Sequence, residues 1–334
     1  MLSRTADHLF WMSRYTERAE NTARMLDVNV QTALLPQTAQ AASSGWRALL
    51  GISELESRFD AKYPTLTARD VIDFMVRDPS NPSSIAACLK EARENARAVR
   101  GTLTTECWES MNITWLELGP LLNEGILEQD PGRFFEWVKH RSHQSRGVTI
   151  GTMLKDEAFY FIRLGTHLER ADNTARMLDV KFHGAMQEAP PSEVAGEETV
   201  QGQQFDYYYW AAILRSVSAF EIYRKVYRDA ITPARVAELL MLRADMPRSL
   251  LSCLDEVVAN LKEVGADSAK GTERFAGKLH ASLKFNSIED ILKEGLHDYL
   301  KRFLKDVFEL GNRISSEFLV PVNAAAPPAG VTAS

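Results

Sequence analysis

Residues 17–28 read ERAENTARMLDV, and residues 169–180 read ERADNTARMLDV. Eleven of the twelve positions are identical across an interval of 152 residues; the twelfth exchanges Glu20 for Asp172. The string is rich in strong helix formers and has no strand-like alternation. With Ala19 as origin of a helical projection, Met12, Tyr15, Ala23, Leu26 and Val30 share its face, which reads as a core stripe. The opposite side carries Glu17, Asn21 and Arg24, with Phe10 and Val28 at its ends and Arg18 and Met25 on a flank. A solvated face needs no apolar residues at its ends. The second copy repeats the layout with Glu169, Asn173, Arg176, Ile162 and Val180. The spacing therefore predicts that each helix is covered on its back as well, and that the polar residues there pair with one another, because a buried unpaired charge is costly.

The repetition extends further along the chain. LTARDVIDFMV (66–76) is similar to ITPARVAELLM (231–241), and PSSIAACL (82–89) to PRSLLSCL (247–254), both at an interval of 165 residues. Cys88 and Cys253 correspond at that interval, as do Asn95 and Asn260. A longer connector in the second half accounts for the change of interval. The expected fold is all-α: a duplicated helical bundle with a pseudo-twofold internal repeat, a single domain over 1–318 with repeats of about 1–150 and 151–318. The Pro-, Gly- and Glu-rich stretch 184–204 is expected to be a flexible linker, and the tail 320–334 to be disordered. In each half, helices are expected to begin near Trp46 or Trp210, after the caps Thr67 or Thr232, and near Pro82 or Pro247. The helices bearing Glu17 and Glu169 are expected to pack together near the twofold axis.

Composition excludes some functions. The 334 residues carry a net charge of −6, with 45% hydrophobic and 25% charged residues, as in an ordinary globular protein. That charge gives no general reason to expect nucleic acid as a partner. The basic stretch Lys139–Arg146 reads as a solvated turn after a helix, and the aromatic stretch 207–228 as a core helix with its basic residues outward. Three unclustered cysteines fit a reducing compartment, no apolar run spans a membrane, and a cytoplasmic location is expected. Glycine-rich phosphate loops, a GxSxG elbow and paired ExxH motifs are all missing. His140 and His143 lack the carboxylates of a metal site, so neither metal nor cofactor is expected.

Two readings of the repeated polar set stay open. In one, Glu17, Arg18, Asn21 and Arg24, with Glu169, Arg170, Asn173 and Arg176, clamp helix to helix. In the other, the arginines and asparagines line a pocket for an anionic group, since the guanidinium fork matches carboxylate and phosphate. Arg248, Ser249, Arg93 and Asn95 are secondary candidates.

LSRTADHLFWMSRYTERAENTARMLDV, ARENARAVRGTLTTECWESMN, HLERADNTARMLDV, SAFEIYRKVYRDAITPARVAELLML and MPRSLLSCL together resemble the bacterial alpha-E family, named for a helical domain with an ER motif. Glu17-Arg18 and Glu169-Arg170 match its ER pairs. The resemblance implies a helical fold and no established activity. It also implies company: a circularly permuted ATP-grasp protein, a transglutaminase-like protease and in some cases a proteasome-like peptidase. A noncatalytic adaptor to an ATP-grasp amidoligase is the expectation this supports. The alternatives are an enzyme of amide or peptide modification with its site between the repeats, and an anion or nucleotide sensor. One departure is Thr166-His167, where the first copy has Arg14-Tyr15 and the family tends to Gly-Arg-Tyr.

Overall fold

The computed structural model describes residues 1–34, 39–188, 200–265 and 270–319. These form an all-helical body, with no strand among the described residues. The first half contains α1 (Ser3–Ala33), α2 (Ala39–Ile52), α3 (Glu56–Asp60), α4 (Ala68–Val76), α5 (Ile85–Ala98), α6 (Thr105–Asn123), α7 (Ile126–Gln129) and α8 (Pro131–Thr152). The second contains α9 (Glu157–Glu188), α10 (Val200–Ser216), α11 (Phe220–Tyr227), α12 (Pro233–Leu242), α13 (Leu250–Val264), α14 (Lys270–Lys284), α15 (Ile288–Glu294) and α16 (Leu296–Phe318).

The two helices that carry the repeated string, α1 and α9, pack directly on each other at the centre. Around them, α5 and α8 cover α1, and α13 and α16 cover α9. The helix following each central helix reaches across: α2 packs on α9, and α10 on α1. The central helices approach closely at Gly165, where an added Cβ would collide with the Phe10 carbonyl and Ser13 Oγ. Ser13 is the residue 152 positions before Gly165. Small residues at the crossing let the backbones approach, which places the following turns, Glu17 and Glu169, on either side of it. From Thr16 to Asp27 every residue of α1 except Arg18 is buried, so the back of this helix is covered as its flanking apolar residues imply.

The caps act as the sequence suggests. Thr67 and Thr232 accept from the backbone N–H groups of Asp70 and Arg235, and Pro233 occupies the first turn of α12. Ser84 and Ser249 cap α5 and α13 in the same way.

Several boundaries differ from expectation. Trp46 and Trp210 lie inside α2 and α10 instead of opening them. The aromatic stretch 207–228 is two helices, because Ser218 takes a left-handed backbone (φ 55°) that ends α10. Glu54 does the same after α2. Within 184–204, residues 184–188 finish α9 and 200–204 begin α10, both being helix-forming stretches; 189–199 lie outside the described residues, as does the tail 320–334. The basic stretch Lys139–Arg146 is not a turn. It is the middle of α8, and part of it points inward.

Candidate functional site

The two ER pairs satisfy each other crosswise. Arg170 donates to Glu17 through a bidentate fork, Nε to Oε1 and Nη2 to Oε2, both at 2.9 Å. Arg18 donates to Glu169 from Nε at 2.6 Å and Nη2 at 3.1 Å. Each glutamate thus takes the arginine of the other string, not the arginine beside it in sequence. Successive helix residues point about 100° apart, so Glu17 and Arg18 do not face one another, and each finds its partner on the other helix.

Beyond this exchange the two ends diverge. At the Glu17 end, Arg248 donates to Glu17 Oε1 at 2.8 Å, to Asn21 Oδ1 at 2.8 Å and to Glu20 Oε1 at 2.6 Å. Arg146, from α8, reaches Glu17 at 3.0 Å, Glu20 and Ser142, all through Nη1. Glu20 also accepts from Ser142 at 2.6 Å and from Arg24, whose guanidinium extends to Ser218 and His143. Two buried carboxylates here face four guanidiniums: Arg24, Arg146, Arg170 and Arg248. Burial raises the Glu17 pKa, but Arg170 and Arg248 prevail and hold it at about 2. Glu20 is likewise held well below the ordinary carboxylate range, burial being outweighed by Arg248, the His143 hydrogen bond and Arg146.

At the Glu169 end, Arg14 donates from Nε at 2.7 Å beside Arg18. Burial again raises the Glu169 pKa, and Arg14 and Arg18 bring it to about 2. Asp172, one methylene shorter than Glu20, bonds Arg176 on its own helix at 2.8 Å, and Arg176 reaches Glu54. Burial raises the Asp172 pKa, although Arg176 opposes it. Three carboxylates and three guanidiniums balance here.

Of the residues singled out by sequence, Glu17, Asn21, Arg24, Glu169 and Arg170 are buried, while Arg18, Asn173 and Arg176 are half-buried. Glu91 is exposed, whereas Glu94, with its side chain 31% exposed, barely exceeds Arg18 at 28%. Arg248 joins the centre from the loop before α13. Ser249 does not; it caps α13 and donates to the Arg243 carbonyl. Arg93 and Asn95 lie elsewhere, bonding Asn112 and His8. Sequence reasoning missed Arg146 and Ser142 as members of the centre. Their signal was Lys139, Ser142 and Arg146 at helical spacing, with Lys139 also turned inward onto Asp27 at 2.7 Å.

A cavity of about 250 Å³ adjoins the Glu17 end, between α1, α6, α8 and α9. Arg146, Arg163, His167 and Arg170 supply its basic lining, and Met12, Met111, Ile150 and Ile162 much of its apolar lining. Thr166 stands on this wall where the first copy has Arg14, so the departure noted in the second string opens space here. Burial and then Arg170, Arg163 and Arg146 hold the His167 pKa well below its ordinary value, against Glu17. Cys88 and Cys253 are buried, and burial pushes both thiols up to about 12. Among the described residues no group of three or more His, Cys, Asp or Glu side chains converges as a metal site would, and no helix is long and apolar enough to cross a membrane.

The chain belongs to the alpha-E family, described as a predicted alpha-helical domain with a conserved ER motif, whose model matches residues 1–319. Uncharacterized proteins of Mycobacterium bovis and Mycobacterium tuberculosis are similar to it at 23% identity, over 91% of this chain and 35% of theirs. The chain therefore spans about a third of the length of the curated relatives it matches. No solved structure matches it significantly.

Proposed function

We propose that this alpha-E chain is a noncatalytic cytoplasmic helical subunit that works beside an ATP-grasp amidoligase in peptide or amide-bond chemistry. The observation that carries the reading is the crosswise ER exchange. The residues that define the motif satisfy one another at a helix crossing, which is what a clamp requires and what a catalytic acid–base pair does not. A carboxylate held at about 2 by two or three guanidiniums is a poor proton acceptor near neutral pH. Thiols pushed up to about 12 are poor nucleophiles. The relatives support partnership from another side: there the similar part is one third of a longer chain, joined covalently to something else. The ATP-grasp and transglutaminase-like partners follow from the family resemblance, and the free cysteines suit a reducing cytoplasm.

The test is reconstitution. The purified chain and its ATP-grasp neighbour are assayed separately and mixed, with ATP and candidate peptides. Amide formation that rises in the mixture, with co-elution of the two proteins, is the expected result. Steady turnover by the alpha-E chain alone, lost in Arg146→Met while the fold stays intact, would overturn it in favour of an enzyme.

A further inference from the structure

Helices α8 and α16 start 165 residues apart, and their buried positions coincide: Phe134 with Tyr299, Phe135 with Leu300, Val138 with Phe303. Past this point the chemistry separates. Where α16 buries Val307, Leu310 and Ile314, α8 buries Ser142, Ser145 and Thr149. At the position of Gly311, which lies against Leu168, α8 has Arg146. The apolar version shows that packing on a central helix does not require hydroxyls or an arginine. Ser142 and Arg146 meet Glu17 and Glu20; burying the remaining hydroxyls, Ser145 and Thr149, where α16 has Leu310 and Ile314 carries a free-energy cost that those carboxylates do not explain and calls for another reason.

Charge supplies one. The Glu17 end holds two more guanidiniums than carboxylates, and Arg163, which also lines the cavity, is balanced by Glu256. Arg146 serves the carboxylates through a single nitrogen, and its side chain, 26% exposed, lines the cavity. His167 lines it too, and its Nδ1 is buried without a hydrogen-bond partner. An anion would offset the excess charge.

The remaining lining narrows the choice of anion. Ser13, Thr16, Thr149 and Thr166 each donate their hydroxyl proton to a carbonyl of their own helix, at 2.8, 2.8, 2.9 and 3.0 Å. Their oxygens keep lone pairs, which accept from a ligand N–H and repel anionic oxygens. Glu17 on the wall works against a dianion such as phosphate. The apolar side chains fit a short hydrocarbon body. A volume of about 250 Å³ lies below the usual range for drug-sized ligands and is too small for a nucleotide.

We infer that this cavity binds the C-terminal residue of a peptide with a short apolar side chain: its carboxylate brings a net negative charge and its amide N–H is neutral, whereas the ammonium of a free amino acid would cancel the charge the site calls for. The carboxylate lies at Arg146, the amide N–H faces the hydroxyl oxygens, and the side chain lies among Met12, Met111 and Ile162. This goes beyond the scaffold reading and is tested on the isolated chain, so failure of either leaves the other measurable.

The experiment is calorimetric titration of the purified chain with L-leucine, glycyl-L-leucine, propionate and inorganic phosphate. Saturable binding of glycyl-L-leucine, at least tenfold tighter than L-leucine, propionate or phosphate, is expected. Arg146→Met should weaken it at least tenfold. Should that variant unfold, the double variant S145L/T149I, which installs the α16 residues and fills the cavity, should abolish binding while the helical spectrum and melting transition persist. No saturable binding of the dipeptide, equal or tighter binding of leucine or phosphate, or undiminished binding by folded S145L/T149I would overturn the assignment.

Discussion

The Glu17 and Glu169 ends of the centre begin from nearly the same twelve residues and finish differently. At one end, Glu20 reaches two further elements, α8 and the loop before α13; at the other, Asp172 is one methylene shorter and stays with Arg176 on its own helix. Arg248 and Arg146 enter the first end, whereas Ser83 and Gly311 occupy the positions 165 residues earlier or later at the second. What both ends keep is the crosswise Glu–Arg exchange. The Glu169 end adjoins a cavity of its own, of about 460 Å³, but its three guanidiniums are balanced by three carboxylates; among the described residues of these two clusters, the excess of positive charge lies at the Glu17 end. The shared part fits packing, and the unshared part fits the binding proposed for the cavity at the Glu17 end.

That division can be broken by mutation, and the largest effect should come from removing a carboxylate. Glu17→Ala leaves the buried Arg170 without a carboxylate and removes one acceptor each from Arg248 and Arg146, which keep Glu20, and should cost about 3–5 kcal/mol in urea unfolding. Glu169→Ala should cost less, about 1–3 kcal/mol, because Arg14 and Arg18 are 17% and 28% exposed and can turn to water. Equal costs would erase the distinction between the ends.

Acid titration probes both ends at once. Glu17 and Glu169 are depressed from 4.5 to about 2 in the folded state, so their stabilisation is present above pH 4.5 and is lost as pH falls through about 2. Each contributes up to roughly 3 kcal/mol by linkage. Melting temperature should therefore fall steeply between pH 4.5 and 2, and less steeply in Glu17→Gln. A flat profile across that window would mean the carboxylates are not held as the geometry requires.

Gly165→Ala tests the crossing that both ends share. Its Cβ meets a backbone carbonyl, which cannot rotate away, so a loss of about 2–3 kcal/mol is expected by thermal melting. Smallest of all should be Thr149→Ile, which gives α8 the α16 residue: a change within about 1 kcal/mol, since the cavity accommodates the added volume. A large destabilisation there would return the hydroxyl face to a structural role.

Periodicity in the chain announces part of this arrangement. Glu17, Asn21 and Arg24 fall on one face between Phe10 and Val28, and their burial follows from that pattern. The crosswise pairing does not, because it depends on how two helices cross, and no spacing within either string encodes the crossing. Arg146 does not stand out in the sequence because it lies among Lys139, Arg141 and two histidines, a run whose charge hides its helical spacing. Arg248 was visible as a candidate, but its reach to three acceptors arises from a loop whose direction only the packed structure sets.

The crosswise exchange is the central claim, and double-mutant cycles test it most directly. Coupling energies would be measured by urea unfolding for Glu17→Gln with Arg170→Met, Glu169→Gln with Arg18→Met, and Glu17→Gln with Arg18→Met. The first two pairs should each show coupling of about 2 kcal/mol, and the sequence-adjacent third pair less than about 0.5 kcal/mol. Strong coupling between Glu17 and Arg18, or none between Glu17 and Arg170, would contradict the account.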